Sequence, residues 1–268
     1  MPLIYEPKGP AREYAARACN LYKGCGHHCV YCYGPYFAYQ CMDAKIAKEK
    51  FDKPTIRGKE AHTEEKRMEI LLKNLKREAE KYNEPHRVLM SFTSDVYQPI
   101  EATTFLTQKA IEIFGEAKVP LTILTKNEMA LRDLDLFAKY DVEFATTICF
   151  LNEEMRKEYE PDASPIADRF RVLKEMKNIG IRTWVSLEPT LNVAEGLGVI
   201  QALIGNTDLI KIGTVDRRWD PDLYDNIDWA KYLEDALRLV DGKISYYIKD
   251  GLWKYATSRV KRNHQKEG

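Results

Sequence analysis

Residues 24–33 read GCGHHCVYCY, and the rest of the chain is interpreted outward from this run. It places three cysteines, Cys25, Cys29 and Cys32, within eight residues. Iron–sulfur cubanes are usually held by four cysteine thiolates, so three thiolates leave one iron open to a small molecule. The run therefore predicts a reactive [4Fe–4S] cluster whose cofactor and substrate sites lie elsewhere in the chain.

Zinc binding and thiol redox chemistry are the alternatives for the same cysteines. A Zn²⁺ ion would take His27 or His28 as its fourth ligand and would make the protein a zinc-stabilised binding module. Structural zinc sites are usually built from two separated pairs of ligands, and no second Cys or His pair follows this run. Cys29 and Cys32 also have the spacing of a redox Cys-x-x-Cys motif, but the upstream Cys25 favours a trio.

Beyond the cysteine run, short apolar segments alternate with segments of helical periodicity. This alternation repeats about six times without a long irregular interruption, which is typical of parallel βαβ units. We therefore predict an α/β fold, a partial (β/α)6 barrel of the TIM type with parallel strands, rather than a doubly wound open sheet. The predicted strands cover residues 17–22, 87–92, 120–124, 142–150, 181–187 and 208–213, with 243–248 as a last candidate.

The chain has no linker or shift of composition that would mark a second domain. We predict that residues 1–268 form a single domain, since α/β barrels often fill this length with one domain. Residues 1–17 carry three prolines and no clear periodicity, which indicates an extended N-terminal arm. Residues 214–268 are predicted to be a C-terminal extension that covers the barrel, ending in a frayed basic tail at residues 261–266.

Composition limits the setting and the partners of the protein. Lys plus Arg and Asp plus Glu number 41 each, so the formal net charge is zero, which does not favour nucleic acid as a partner. No apolar run approaches the roughly 18 residues of a membrane helix. The N-terminus lacks a signal-peptide pattern, and six cysteines, three of them clustered, do not indicate a disulfide framework. These features predict a cytoplasmic protein with no membrane partner.

The cysteine run at the head of a repeating βα chain resembles the signature of radical S-adenosylmethionine (SAM) enzymes. The resemblance implies that Cys25, Cys29 and Cys32 hold a [4Fe–4S] cluster and that the methionyl group of SAM chelates the open iron. It also implies that an electron, from an external donor of the flavodoxin or ferredoxin type, cleaves SAM to methionine and a 5′-deoxyadenosyl radical. That radical would abstract a hydrogen atom from the substrate. Tyr33, an aromatic residue directly after the last cysteine, strengthens the match.

Further segments resemble one group within that superfamily, the spore photoproduct lyase-like (DNA repair photolyase-like) proteins. The matches occur in the expected order from about residue 12 to residue 213. They comprise NLYKGC at 20–25, YCY at 31–33, TSDVYQPIE at 93–101, LTKN at 124–127, Arg132-Asp133, Glu160-Pro161 and Arg169.

The same resemblance places a cofactor site at the carboxyl ends of the strands, where barrel enzymes carry their chemistry. It implies that Ser94 and Asp95 hydrogen-bond the amino and sugar groups of SAM and that Thr147 supplies a hydroxyl. It also implies that Lys126 pairs with the methionyl carboxylate, a task suited to a compact cation, and that Tyr33 shapes the site. Taken singly, these residues also fit a helix cap, a solvated lysine or an ordinary strand position.

One departure from the lyase pattern bears on the reaction. In the lyase, a cysteine three residues before the matching aspartate returns a hydrogen atom to the product radical, and here that position is Phe92. The lyase's paired tyrosines do have counterparts, Tyr31 and Tyr33, which are catalytic candidates. We therefore predict that this protein does not repair thymine dimers by the lyase's hydrogen-return route.

Other catalytic candidates come from the remaining cysteines and from a strand end. Cys19, Cys41 and Cys149 are substitute hydrogen donors, and Cys41 is the best placed of them in sequence because it lies near the cysteine run. Glu188 follows a predicted strand and is a candidate contact for substrate or cofactor. The leading hypothesis is a radical SAM enzyme with an unidentified substrate. The alternatives are a thymine photoproduct lyase with a non-standard hydrogen donor and the zinc-stabilised binding module.

Overall fold

The computed structural model describes residues 2–58 and 61–263 and contains one main β-sheet. The strands are β1 (Ile4–Tyr5), β2 (Arg17–Cys19), β3 (Tyr22–Lys23), β4 (Thr55–Ile56), β5 (Val88–Met90), β6 (Leu121–Leu124), β7 (Glu143–Thr147), β8 (Thr183–Leu187), β9 (Leu209–Ile212) and β10 (Ser245–Ile248). β3 and β4 form a separate antiparallel pair, and the other strands make the main sheet.

Helices fill the connections between the strands. They are α1 (Gly34–Ala38), α2 (Ala44–Phe51), α3 (Glu64–Ala79), α4 (Glu101–Thr104), α5 (Leu106–Glu116), α6 (Leu134–Tyr140), α7 (Glu153–Tyr159), α8 (Ile166–Asn178), α9 (Val193–Leu203), α10 (Pro221–Asn226), α11 (Trp229–Val240), α12 (Asp250–Trp253) and α13 (Ser258–Asn263). Two 3-10 helices cover Gly9–Glu13 and Glu128–Asp133. In the described part of the chain, none of these helices has the length and apolarity needed to cross a membrane.

The strand order distinguishes a barrel from a doubly wound sheet. From β2 through β5 to β10, each strand of the main sheet pairs in parallel with the next one along the chain. A doubly wound sheet reverses its order part-way, whereas a barrel keeps the sequential order seen here. β1 adds an antiparallel edge beside β2, and β10 forms the opposite edge. The predicted partial barrel is therefore confirmed, and its last candidate strand joins the sheet as β10.

Side chains alternate between the two faces of each strand, and this alternation separates two apolar clusters. In β8, Val185 and Leu187 belong to the large core that packs against the helices. Trp184 points to the opposite face, where it packs with Leu89 and Ala145 in a small second cluster. This second side, called the inner face below, is the lumen of the partial barrel and carries the polar side chains discussed next.

The N-terminal segment differs from the extended arm predicted for residues 1–17. The amides of Leu3 and Ile4 donate to Oε2 of Glu78 at 2.8 and 2.9 Å, which holds β1 beside the sheet. The 3-10 helix Gly9–Glu13 then brings Tyr14 onto the inner face. At the other terminus, β10 and α10 to α13 lie within the predicted C-terminal extension, and residues 264–266 of the predicted basic tail lie outside the described residues.

Candidate functional site

The cysteine run forms a loop between β3 and α1 whose backbone is held by other parts of the chain. The amide of Cys25 donates to the carbonyl of Phe51 at 2.9 Å, and the amide of Gly26 donates to Oε1 of Gln98 at 2.8 Å. Gly24 has a φ of +89°, a conformation that favours glycine, and a side chain there would collide with the backbone of Phe51. The loop therefore has a defined conformation set by α2 and by the segment after β5.

The three thiols of the loop share a poorly solvated environment. Cys29 is buried, and Cys25 and Cys32 are half-buried. Burial raises the pKa of each thiol, to about 12 for Cys29, and charge on Cys29 and Cys32 would raise the pKa of Cys25 further. Three neighbouring thiols become thiolates most readily when a cationic metal centre displaces their protons. This donor set therefore fits an iron–sulfur cluster held by three cysteines.

Both histidines of the loop contact carboxylates. His27 is only 2% exposed, and its Nδ1 lies 3.4 Å from Oδ2 of Asp95. His28 lies nearer the surface, with Nδ1 2.5 Å from Oδ2 of Asp162. Both contacts engage Nδ1 of the imidazole and leave Nε2 as the nitrogen that could face a metal. These contacts therefore do not separate the zinc alternative from an iron–sulfur cluster, and metal analysis is the measurement that does.

Asp95, predicted to contact the cofactor, has both carboxylate oxygens engaged by protein groups. Oδ1 accepts hydrogen bonds from the amide of Tyr97 at 2.8 Å and the hydroxyl of Thr125 at 2.7 Å. Oδ2 accepts from the amide of Lys126 at 2.8 Å and faces His27. Burial alone would raise the pKa of Asp95, but His27 and these donors lower it to about 2.

Ser94, the neighbour of Asp95, is also buried among backbone groups. Its hydroxyl donates to the carbonyl of Tyr22 at 3.3 Å, and its own carbonyl accepts from the hydroxyl of Ser91. A direct contact of Ser94 or Asp95 with SAM stays a prediction.

Lys126, two residues after the end of β6, belongs to a buried polar network. Its Nζ lies 3.9 Å from Oε1 of Glu160 and 5.5 Å from the ring centroid of Tyr31. Glu160 is fully buried, accepts a hydrogen bond from the hydroxyl of Tyr31, and lies 2.5 Å from Nη2 of Arg169. This network, called the Glu160 network below, joins the cysteine loop to the strand ends.

The charges of the Glu160 network support one another. Burial raises the pKa of Glu160, but the cations Arg169 and Lys126 outweigh it and lower the pKa. Burial lowers the pKa of Lys126, but charge on Cys29 and Glu160 raises it above its ordinary value. Lys126 therefore keeps its positive charge at neutral pH beside the cysteine loop. In the sequence, Glu160 and Arg169 mark only the resemblance, and their ion pair was not predicted.

Thr147 and Tyr33 border the same region. Thr147 is the last residue of β7, and its carbonyl accepts from Nη1 of Arg169 at 2.9 Å. The hydroxyl of Tyr33 donates to the carbonyl of Phe92 at 2.6 Å, although the residue is 46% exposed. Lys126, Thr147 and Tyr31 are thus gathered around Glu160 and Arg169, with Tyr33 anchored to the segment after β5.

The remaining cysteines occupy different environments. Cys41 is exposed, with a φ of +73°, in the turn after α1, and Cys19 is buried in β2. Cys149 is buried just after β7, and burial together with the nearby charge of Glu160 raises the pKa of its thiol. Proximity in sequence favoured Cys41, but the cysteine beside the Glu160 network is Cys149.

Glu188 anchors a second polar group on the inner face, called the lumen cluster: Tyr14, Ser186, Glu188 and Lys249. The hydroxyl of Tyr14 donates to Oε2 of Glu188 at 2.6 Å and lies 2.8 Å from Oγ of Ser186. Lys249 forms an ion pair with the same Glu188 oxygen. A side chain at position 213 would collide with the Glu188 carboxylate, so Gly213 gives it room.

Two members of the lumen cluster, Tyr14 and Lys249, were not predicted from the sequence. Lys249 directly follows β10, the same position relative to its strand that singled out Glu188, so the strand-end argument applies to it as well. Tyr14 gave no such signal, because its place depends on how the N-terminal segment folds back onto the barrel.

Comparison with known proteins identifies the family. The model of the radical SAM superfamily matches residues 19–191, about two thirds of the chain, including the cysteine loop and the strands from β5 to β8. The chain belongs to the radical SAM superfamily. Membership supports an enzyme, and the family implies a [4Fe–4S] cluster and SAM as cofactors.

Individual relatives agree with this assignment. An uncharacterised protein of Methanocaldococcus jannaschii is 28% identical over 205 residues, which cover 76% of this chain and 69% of that protein. A mutant of spore photoproduct lyase with bound AdoMet and dinucleoside spore photoproduct has a TM-score of 0.63 at 17% identity, covering 91% of this chain and 78% of that one. SuiB of Streptococcus suis, bound to the precursor peptide SuiA, has a TM-score of 0.59 at 12% identity, covering 89% and 49%. The two likenesses to solved structures show a shared fold.

Lys211 is a buried lysine on the inner face of the barrel, and its charge makes the stability of the fold depend on pH. Its Nζ lies 4.6 Å from the ring centroid of Trp184 and donates to the carbonyls of Glu13 and Tyr14, both at 3.1 Å. Burial lowers the pKa of Lys211 to about 8, and the nearby Lys249 adds to the effect. Unfolding restores an ordinary lysine pKa of about 10.4. The buried charge therefore destabilises the fold below pH 8, and this cost disappears as the pH rises toward 10.

Lys211→Met removes this titration. We expect the Tm of the variant minus that of the wild type to fall as the pH rises from 7 to 10, as measured by thermal melts at matched ionic strength. Lys231→Met, at an exposed lysine of α11, controls for the loss of a positive charge. A Tm difference that stays constant or rises over this interval would contradict the expectation.

Proposed function

We propose that this protein binds a [4Fe–4S] cluster on Cys25, Cys29 and Cys32 and uses SAM to abstract a hydrogen atom from a substrate still to be identified. The observation that carries the proposal is the placement of three cysteines on a loop held by Phe51 and Gln98, with Lys126 beside Tyr31 of the same loop. When bound, the cluster supplies the electron that cleaves SAM reductively to the 5′-deoxyadenosyl radical.

The residues around the loop have distinct tasks in this proposal. Lys126 pairs with the carboxylate of SAM, because its ammonium group is a compact cation held in place by Glu160. Thr147 and Ser94 offer hydroxyls, and Tyr33 borders the site from the exposed side of the loop. An external electron donor of the flavodoxin or ferredoxin type reduces the protein, in a cytoplasmic setting.

The substrate lies, on this proposal, over the inner face beside the lumen cluster. Oε2 of Glu188 is shared by Tyr14 and Lys249, and the Glu188 side chain is 27% exposed. Glu188 can therefore accept a hydrogen bond from the substrate while its neighbours fix its position.

A thymine photoproduct lyase with a non-standard hydrogen donor is the second candidate. The position of Cys149, buried beside the Glu160 network, favours it, because Phe92 has no transferable thiol hydrogen. Conversion of a dinucleoside spore photoproduct to thymine, lost in Cys149→Ser, would establish this reaction.

The proposed function predicts formation of 5′-deoxyadenosine. The protein is reconstituted anaerobically with iron and sulfide, then incubated with dithionite and SAM, and 5′-deoxyadenosine is measured by mass spectrometry. We expect product from the wild type and none from the triple variant Cys25→Ser, Cys29→Ser, Cys32→Ser treated in the same way. A fully loaded cluster that yields no 5′-deoxyadenosine, or stoichiometric zinc in place of iron, would refute the proposal.

A further inference from the structure

We propose that His27 and Asp95 are positioning residues that fix the cysteine loop against the strand end carrying Lys126. On this view, they set the cluster and the SAM-binding lysine at a defined separation without touching either cofactor. The inference rests on the proposed function and replaces the predicted direct contact between Asp95 and SAM.

Asp95 links three separate segments of the chain. Its carboxylate accepts from the amide of Tyr97 in its own turn and from Thr125 and Lys126 at the end of β6. It also faces His27 in the cysteine loop at 3.4 Å. Both oxygens are thus engaged by protein groups, which suits an internal tie better than a ligand contact.

His27 is the residue of the cysteine loop that contacts Asp95. It lies between Cys25 and Cys29, and its imidazole is buried. Nδ1 faces Asp95, and Nε2 lies 3.4 Å from Nδ2 of Asn127, which follows Lys126. Buried polar groups normally have hydrogen-bond partners, and both partners of this ring belong to the cofactor side of the site.

His28 shows that this arrangement is specific to one of two adjacent histidines. His28 also contacts a carboxylate, but its side chain is 37% exposed and its partner Asp162 lies at the surface. His28 therefore leaves the strand end at Lys126 untouched. The two residues provide a matched pair, with the same side chain in the same loop and different contacts.

Loss of the contact between His27 and Asp95 should affect the binding of SAM more than the assembly of the cluster. The thiols and the backbone contacts of the loop remain when His27 is changed, so the cluster still assembles. The loop then keeps its contact with Lys126 through Tyr31 but loses the one made through His27, so the separation of the two cofactor-binding parts is held less firmly. We therefore expect the change at His27 to weaken SAM binding about 10-fold, which corresponds to about 1.4 kcal/mol.

The test compares His27→Leu, His27→Gln and His28→Leu in reconstituted full-length protein. Iron per chain, the electron paramagnetic resonance spectrum of the reduced cluster with and without SAM, and KM for SAM are measured. We expect near wild-type iron in all three. His27→Leu should raise KM for SAM about 10-fold or more and weaken the spectral change caused by SAM. His27→Gln, which keeps a donor, should recover part of both, and His28→Leu should match the wild type.

Two results would overturn the inference. One is a His27→Leu protein with wild-type KM and a wild-type spectral response to SAM. The other is loss of iron from His27→Leu and His27→Gln alike, which would make His27 a determinant of cluster retention. If the wild type itself loads no cluster or shows no response to SAM, the proposed function fails first, and the inference falls with it. Asp95→Asn gives an independent check, because its –NH2 group would face either the donors of Tyr97 and Thr125 or those of Lys126 and His27. We expect it to raise KM for SAM with iron retained, and a wild-type KM would count against the inference.

Discussion

Replacing Cys25, Cys29 or Cys32 with serine, one at a time, is expected to abolish 5′-deoxyadenosine formation and to reduce bound iron sharply. Iron–sulfur clusters depend on soft thiolate ligands, and a serine hydroxyl is a poor substitute. Iron and sulfide per chain, together with the 5′-deoxyadenosine assay, measure the effect.

Cys41→Ser is the matched control for iron content. Cys41 lies nine residues after Cys32 in the sequence, but it is exposed in a turn beyond α1, so its loss should leave bound iron unchanged. A single loop variant that kept wild-type iron and wild-type 5′-deoxyadenosine formation would contradict the assignment of the three ligands. Equal iron loss in Cys41→Ser would show that the assay reports general damage to the protein.

The strands of this fold were predictable because parallel strands buried on both faces are short continuous apolar runs. The strand predicted at residues 181–187 corresponds to β8, and the last candidate at residues 243–248 corresponds to β10. The N-terminal segment was not predictable in the same way. Its 3-10 helix and the insertion of Tyr14 depend on contacts with Glu188 and Lys211, which lie more than 170 residues away.

Some residues of the candidate site were likewise predictable from the sequence, and others were not. The loop cysteines were found because their spacing is visible in one sequence, and Lys126 was found through the resemblance to the lyase-like group. The tie between His27 and Asp95 was not, because the two residues are 68 positions apart and each fits an ordinary loop role by itself. The Glu160–Arg169 pair illustrates the same limit, since charge in a sequence gives no sign of burial.

Arg169→Met is expected to lower the free energy of unfolding by about 3–5 kcal/mol, as measured by urea denaturation of the protein without cofactors. Arg169 is 1% exposed, and its guanidinium serves Glu160 and the carbonyls of Ser164 and Thr147. Its removal leaves Glu160 buried with only Lys126 as a cationic partner among the described residues. An unpaired or half-paired buried carboxylate is costly, which accounts for the size of the effect.

Arg171→Met, two positions along α8, is the matched control. Arg171 pairs with Glu128 and Asp168, but its side chain is 50% exposed, so its loss should change stability by less than about 1 kcal/mol. An equal decrease in the free energy of unfolding in the two variants would show that burial of the Glu160 network does not increase the cost of removing its arginine. A large loss confined to Arg169→Met would mean that the fold sustains a costly buried carboxylate. The role of Glu160 in holding Lys126 charged beside the cysteine loop is the physical reason for such a carboxylate in this site.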